Sequence, residues 1–221
     1  MASTIIIKAP EYLLTIRDML MAFFASQEPG QAPVWEKDGE NNKIYRLPIV
    51  KKLGVAPDVG SSKIFASGLT YDITQNTRGA QLTTDVVALP RDIEDKALGT
   101  HKPSSSMAYS KNNDKGAEFA TGYFMENSDG GLVYFFHPRC KMIEGQSEYA
   151  TSDDSDADPQ VSKAIEVMPT HEGVWRVRYA TSDVATGKVP LTVEQFFGAL
   201  PYTIAQIEAL AATEADVPQG G

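Results

Sequence analysis

Few side chains here are placed to do chemistry. The three histidines, His101, His137 and His171, stand far apart, and none has a partner at zinc-ligand spacing. We read them as separate loop or strand-end residues. Cys140, the one cysteine, follows "HPR" and pairs on paper with His137 as nucleophile and base. No activating arrangement is legible, so a partly buried strand-end thiol is the expectation. Asp154, Asp156 and Asp158 alternate like the start of a calcium loop. The sixth position is Pro159 rather than glycine and the twelfth is Ile165 rather than glutamate, so a solvated acidic loop is the reading. There is no phosphate-binding Gly-Lys-Ser/Thr loop, no G-x-S-x-G and no dinucleotide fingerprint. The expectation is a protein that is not an enzyme and uses no cofactor and no metal.

Composition narrows the classes further. The chain has 221 residues, enough for a real core, with 42% apolar and 22% charged residues as in ordinary soluble proteins. A net charge of −9 should repel nucleic acid rather than grip it. One cysteine excludes an intrachain disulfide and suggests a reducing compartment. The start, "MASTIIIKAPEY", lacks a basic region leading into a long apolar run, and no stretch of about 20 apolar residues occurs. We therefore expect a soluble protein made in the cytoplasm, without membrane insertion.

The elements that must position these residues are mostly strands. Residues 119–140 read "FATGYFMENSDGGLVYFFHPRC", two β-rich arms around the turn formers Asn127–Gly131, hence a hairpin with a four- or five-residue loop. Neither face of its arms is polar throughout, so something must cover both. Short strands are expected at 4–8, 44–53, 62–67, 69–74, 81–88, 162–168 and 173–181. Tyr12, Leu13, Ile16, Met19, Leu20, Phe23 and Phe24 recur at helical spacing and predict an amphipathic helix over 11–25. "LPRDIEDKALG" predicts a short helix from Leu89 to Gly99, acidic early, with Ile93, Ala97 and Leu98 as its apolar face. Residues 102–116 form a long polar loop or loosely paired hairpin. Thr192-x-x-Gln195 and Thr203-x-x-Gln206 are capping boxes that open two short helices. The chain divides into 1–43 (strand, amphipathic helix, loop), a β-domain at 44–189, and a helical arm at 190–221.

The run "IYRLPIVKKLGVAPDVGSSKIFASGLTYDITQNTRGAQLTTDVVALPRDIEDKALG" from Ile44 to Gly99 resembles the major tail, or tail tube, proteins of long-tailed, non-contractile bacteriophages of Gram-positive hosts. The resemblance rests on Leu47-Pro48, "KIFASGLTYD" at 63–72, the acidic helix ending "ALG", "EFATGYF" at 118–124, an aromatic strand ending near "RCK", and the acidic loop that follows. It covers about 44–180, and the order of these features carries it, since none is diagnostic alone. The resemblance implies a mainly β fold, a β-sandwich or barrel of tail-tube type with a flanking short helix. The N-terminal and C-terminal helical segments are additions to it.

It also implies a use. Six copies close into a ring, and rings stack into a virion tail tube, assembled in the host bacterial cytoplasm. The partners are further copies, the tape measure protein, and the tail terminator and distal tail proteins. Double-stranded DNA passes the lumen without specific binding, and the acidic tract Asp153, Asp154, Asp156 and Asp158 faces the lumen or the solvent. On this reading Phe119, Tyr123, Phe124, Tyr134 and Phe136 bury against a neighbouring subunit, with the 11–25 helix as the alternative cover. Lys102, Ser105, Tyr109 and Asn112 reach an adjacent ring, and Phe196 and Phe197 dock the arm. The inner tube of a contractile tail or secretion-type machine shares the implied fold. A carbohydrate-binding β-sandwich module is the alternative of another class and requires exposed aromatics on one sheet face.

Overall fold

The computed structural model describes residues 13–48, 50–66, 69–144 and 161–216. The expected strand at 4–8 and the acidic residues Asp153, Asp154, Asp156 and Asp158 lie outside them. The run expected to be a helix over 11–25 is instead a strand, β1 (Leu13–Ser26). Met19, Leu20, Met21, Ala22 and Phe23 are buried in succession. A run that is apolar at every position satisfies the helical and the strand period alike, so pairing decides. Met19, Met21 and Phe23 enter one core while Leu20 and Ala22 enter another on the opposite side.

Three two-residue strands, β2 (Val34–Trp35), β3 (Lys37–Asp38) and β4 (Asn41–Asn42), precede β5 (Tyr45–Leu47). The short strands expected after Ile44 then merge into β6 (Val50–Ala66) and β7 (Leu69–Val86), of 17 and 18 residues. Pro57 is tolerated because β6 is an edge strand, and the register shift between Asp58 and Val59 absorbs an extra residue. Helix α1 (Arg91–Leu98) forms as expected. It carries Asp92 and Glu94 in its first turn and is closed by Gly99 in the left-handed conformation.

The polar stretch after α1 pairs as β8 (His101–Ser104) with β9 (Met107–Tyr109). The expected aromatic hairpin follows as β10 (Phe119–Asn127) and β11 (Leu132–Ile143). The Asn127 amide donates to the Gly131 carbonyl at 2.8 Å to close its loop. β12 (Val161–Val167) matches expectation, whereas only β13 (Val177–Ala180) of the stretch 173–181 is a strand. The chain ends in β14 (Lys188–Val189), α2 (Val193–Gly198), α3 (Ile204–Ala211) and β15 (Ala215–Asp216). Both capping boxes form. The Gln195 and Gln206 amides donate to Thr192 and Thr203 Oγ1 at 3.2 and 3.3 Å, and the glutamine side chains return the bond.

The fold is mainly β, dominated by one antiparallel sheet in the order β2-β1-β10-β11-β12-β7-β6. β13 pairs on β11 and β5 on β1. β1 sits inside this sheet, paired with β10 from Leu13↔Asn127 to Phe23↔Phe119, so residues 13–26 are no appendage to it. The chain passes from β5, on β1, to β6, on β7, across two residues. The sheet therefore curls, and its two ends share one core. That core contains Met19, Met21, Phe23, Leu47, Leu82, Phe119, Cys140 and Ile165, and Ile93 and Ala97 of α1 close it.

The opposite face is covered by the tail of the same chain. Leu191, Phe196, Phe197 and Leu200 pack on Leu20, Ala22, Ala120, Phe124, Tyr134 and Phe136. Gly122 makes this possible: a Cβ there would lie 2.3 Å from Phe197 Cε1. The Tyr134 hydroxyl donates to the Leu191 carbonyl at 3.1 Å, and the Leu191 amide donates to the Tyr179 hydroxyl at 2.9 Å. Neither the 11–25 segment nor a neighbouring molecule is needed to cover this face.

Candidate functional site

The residues expected at a subunit boundary fall into two groups. Phe119, Tyr123, Phe124, Tyr134, Phe136, Phe196 and Phe197 are all buried within the chain, Phe119 completely. A neighbour can touch them only if the tail or the curled sheet opens, so they are core residues here. Their aromatic content signalled burial; it carried no information about whose surface does the burying. Ring pairs such as Tyr134–Phe196, with centroids 5.3 Å apart, and Phe124–Phe197, at 6.5 Å, fix the tail in place.

Lys102, Ser105, Tyr109 and Asn112 are exposed on the β8–β9 hairpin and the loop after it. This projection is held rather than loose. His101 stacks on Tyr109 with centroids 5.1 Å apart, and its Nε2 lies 2.9 Å from Asp114 Oδ1. The Lys111 amide donates to Asp114 Oδ2 at 2.7 Å, and that bond, then His101, hold the Asp114 carboxyl below its ordinary range. Lys102 Nζ reaches Asp95 on α1 at 2.7 Å. The hairpin presents Met107, 65% exposed, and Tyr109, 46% exposed.

A second surface was not foreseen. β7 pairs with β12 only from Ala80 to Val86, and residues 69–79 pair solely with β6 among the described residues. Eleven residues at about 3.4 Å each make a two-stranded ribbon that runs roughly 35 Å beyond the sheet. Val59 is exposed on it, as are Asp58, Asn76 and Arg78. Alternation across 50–86 was the available signal. Glycine, asparagine and proline within it read as breaks, although an edge ribbon accommodates them.

Cys140 and the three histidines are each held by their own local contacts. Cys140 is buried, its thiol donates to the His137 carbonyl at 3.7 Å, and burial pushes its pKa well up. Burial depresses the His137 pKa to about 4; the hydrogen bond with the Trp175 carbonyl opposes this and Arg176 adds to it. The third histidine, His171, stacks on Tyr202 with centroids 6.0 Å apart. No group of three His, Cys, Asp or Glu side chains among the described residues is placed to hold a metal ion.

A cleft of about 600 Å³ opens between Phe24, the 27–30 turn, Glu118, Arg139, His171 and Tyr202. The Glu118 carboxylate in it is engaged. Arg139 donates to Glu118 at 2.8 and 3.2 Å, and Lys141 approaches to 3.2 Å. Burial raises the Glu118 pKa, but these cations outweigh it and hold the carboxyl ionised below its usual range.

The basic residues near 43–52 and 176–178 are placed variously. Lys43 Nζ lies 5.1 Å from the Tyr45 ring centroid, and Arg176 sits 4.6 Å from that of Trp175. Lys51, Lys52 and Arg178 are exposed, at the start of β6 and on β13. No helix among the described residues is long and apolar enough to cross a membrane. No protein-family model matches the chain, and no curated protein matches it.

Proposed function

We propose that this chain is a structural subunit that assembles with copies of itself, and that the assembly is a bacteriophage tail tube of stacked six-membered rings enclosing a DNA channel. The observation that carries the self-assembly is the β6–β7 ribbon. An isolated two-stranded hairpin is marginal in water, and long exposed edges invite pairing with another chain. A ribbon of this length whose residues 69–78 pair with nothing but β6 among the described residues is what an element contributed to a neighbour looks like. The six-fold tube and the phage setting rest on the sequence resemblance over about 44–180. The curled sheet closed by α1 agrees with the sandwich or barrel that the resemblance implies.

In this reading the β8–β9 projection, with Met107 and Tyr109 at its surface, contacts the next ring. The tape measure protein and DNA occupy the lumen, the tail terminator and distal tail proteins meet the tube ends, and a net charge of −9 suits a wall that DNA must slide past. A carbohydrate-binding module gains less support, because the aromatics of the β10–β11 hairpin are core.

Electron microscopy of the full chain over a range of concentrations tests this. Rings or tubes are expected from the native chain. A variant in which residues 59–78 are replaced by an Asn-Gly turn joining Asp58 to Gly79 should keep its cooperative fold and form neither. A native chain that stays monomeric under every condition, or a ribbonless variant that still builds tubes, would refute the proposal.

A further inference from the structure

His137 lies where β11 changes partner, between β13 on residues 133–136 and β12 on residues 140–143. The segment 168–176 bridges that gap. It is tied to the sheet by the Met168 amide donating to the Arg139 carbonyl at 2.9 Å, and by His137 Nδ1 at 3.1 Å from the Trp175 carbonyl. A carbonyl only accepts, so Nδ1 carries the hydrogen and Nε2 is left as a bare acceptor. Nε2 is fully buried and has no hydrogen-bonding partner among the described residues.

The same segment holds the tail. The Ile204 amide, at the start of α3, donates to Glu172 Oε2 at 2.5 Å, and His171 stacks on Tyr202. Among the described residues, the titratable and charged groups around His137 are Tyr123 on β10, with ring centroids 6.1 Å apart, Cys140 on its own strand, and Arg176 on the bridging segment. None of these is a carboxylate that could balance an imidazolium.

We propose that His137 is an acid-sensitive latch, whose protonation releases segment 168–176 from the sheet and with it the contacts of Glu172 and His171 that hold the start of α3. A proton on Nε2 places a donor where no acceptor exists and a buried positive charge beside Arg176. The opened segment lets the ring reach water and take its proton in the ordinary way. The closed form resists until about pH 4, against an ordinary histidine value of 6.5. Acid therefore favours opening progressively from about pH 6.5 downward, towards a limit of roughly 300-fold below pH 4. The latch acts within one chain and does not depend on assembly into tubes.

The test uses the full chain with Trp35→Phe, which leaves Trp175 as the only tryptophan. Its emission is followed from pH 8 to pH 4 beside far-ultraviolet circular dichroism. A change in Trp175 emission with a midpoint between pH 6.5 and 4, while the dichroism holds, is expected. With His137→Leu added, emission should no longer depend on pH in that range. Nitrogen-15 shifts of the His137 ring in the otherwise native chain provide a second measurement should that variant not fold. They should report the neutral Nδ1-H form at pH 6, with the amides of 168–176 moving as it titrates. An unchanged transition in His137→Leu would overturn the latch. So would dichroism lost together with emission, or ordinary titration of the ring near pH 6.5 with those amides still.

Discussion

Single side chains here are held in the forms that suit a dry interior. Tyr123 stacks on Phe135 with centroids 5.1 Å apart, and burial pushes its pKa up to about 12. The unfolded chain releases this proton near pH 10, the folded chain only near pH 12, so stability is full below pH 10 and falls as pH rises between them. The loss reaches about 3 kcal/mol. Urea midpoints taken from pH 9 to pH 12 should decline more steeply for the native chain than for Tyr123→Phe, and parallel declines would remove Tyr123 as the cause. Cys140 and His137 share this logic: two residues that suggest a catalytic pair on paper are both uncharged because burial is costly for the ionised forms.

At the scale of elements, the tail is part of the core. Phe196 and Phe197 are each 2% exposed and Tyr202 is completely covered, although α2 has only six residues and α3 eight. Helices this short do not persist alone in water. They persist here because two capping boxes satisfy their first turns, the β10–β11 hairpin takes the aromatic side chains of α2, and Leu210 of α3 packs against the same cluster. Truncation after Val189 would uncover Leu20, Ala22, Ala120, Phe124, Tyr134 and Phe136 together. Burying a large apolar side chain is worth about 1.5–3 kcal/mol, so losing several such contacts exceeds the whole stability of most domains. The truncated chain should lose near-ultraviolet dichroism and cooperative unfolding. A truncated chain that melts cooperatively would make the tail the detachable arm expected from its capping boxes.

The whole molecule carries a long ribbon on one side and a net charge of −9. If copies associate through the ribbon and the β8–β9 projection, like charge opposes each addition and salt relieves it, since the screening length falls from about 30 Å at 0.01 M to about 8 Å at 0.15 M. Light scattering at fixed protein concentration should therefore rise faster in 0.15 M than in 0.01 M sodium chloride. Faster growth at low salt would point to attraction between charges as the driving contact.

Local order was legible in the residues themselves. The α1 helix, the two capping boxes and the aromatic hairpin each depend on interactions within a few positions, so Pro90, Gly99, Thr192, Gln195 and Asn127–Gly131 announce them. What escaped was set by partners distant in the chain. Leu13–Ser26 carries a helical period and becomes a strand because β10 and two cores flank it. The segments at 50–86 look broken and become one ribbon because an edge strand tolerates Pro57 and a bulge. The hairpin's second face demanded a cover in either account. Only the tertiary structure assigned that cover to Phe196 and Phe197, because hydrophobic burial has no direction and a sequence records the demand for it without the identity of the surface that meets it.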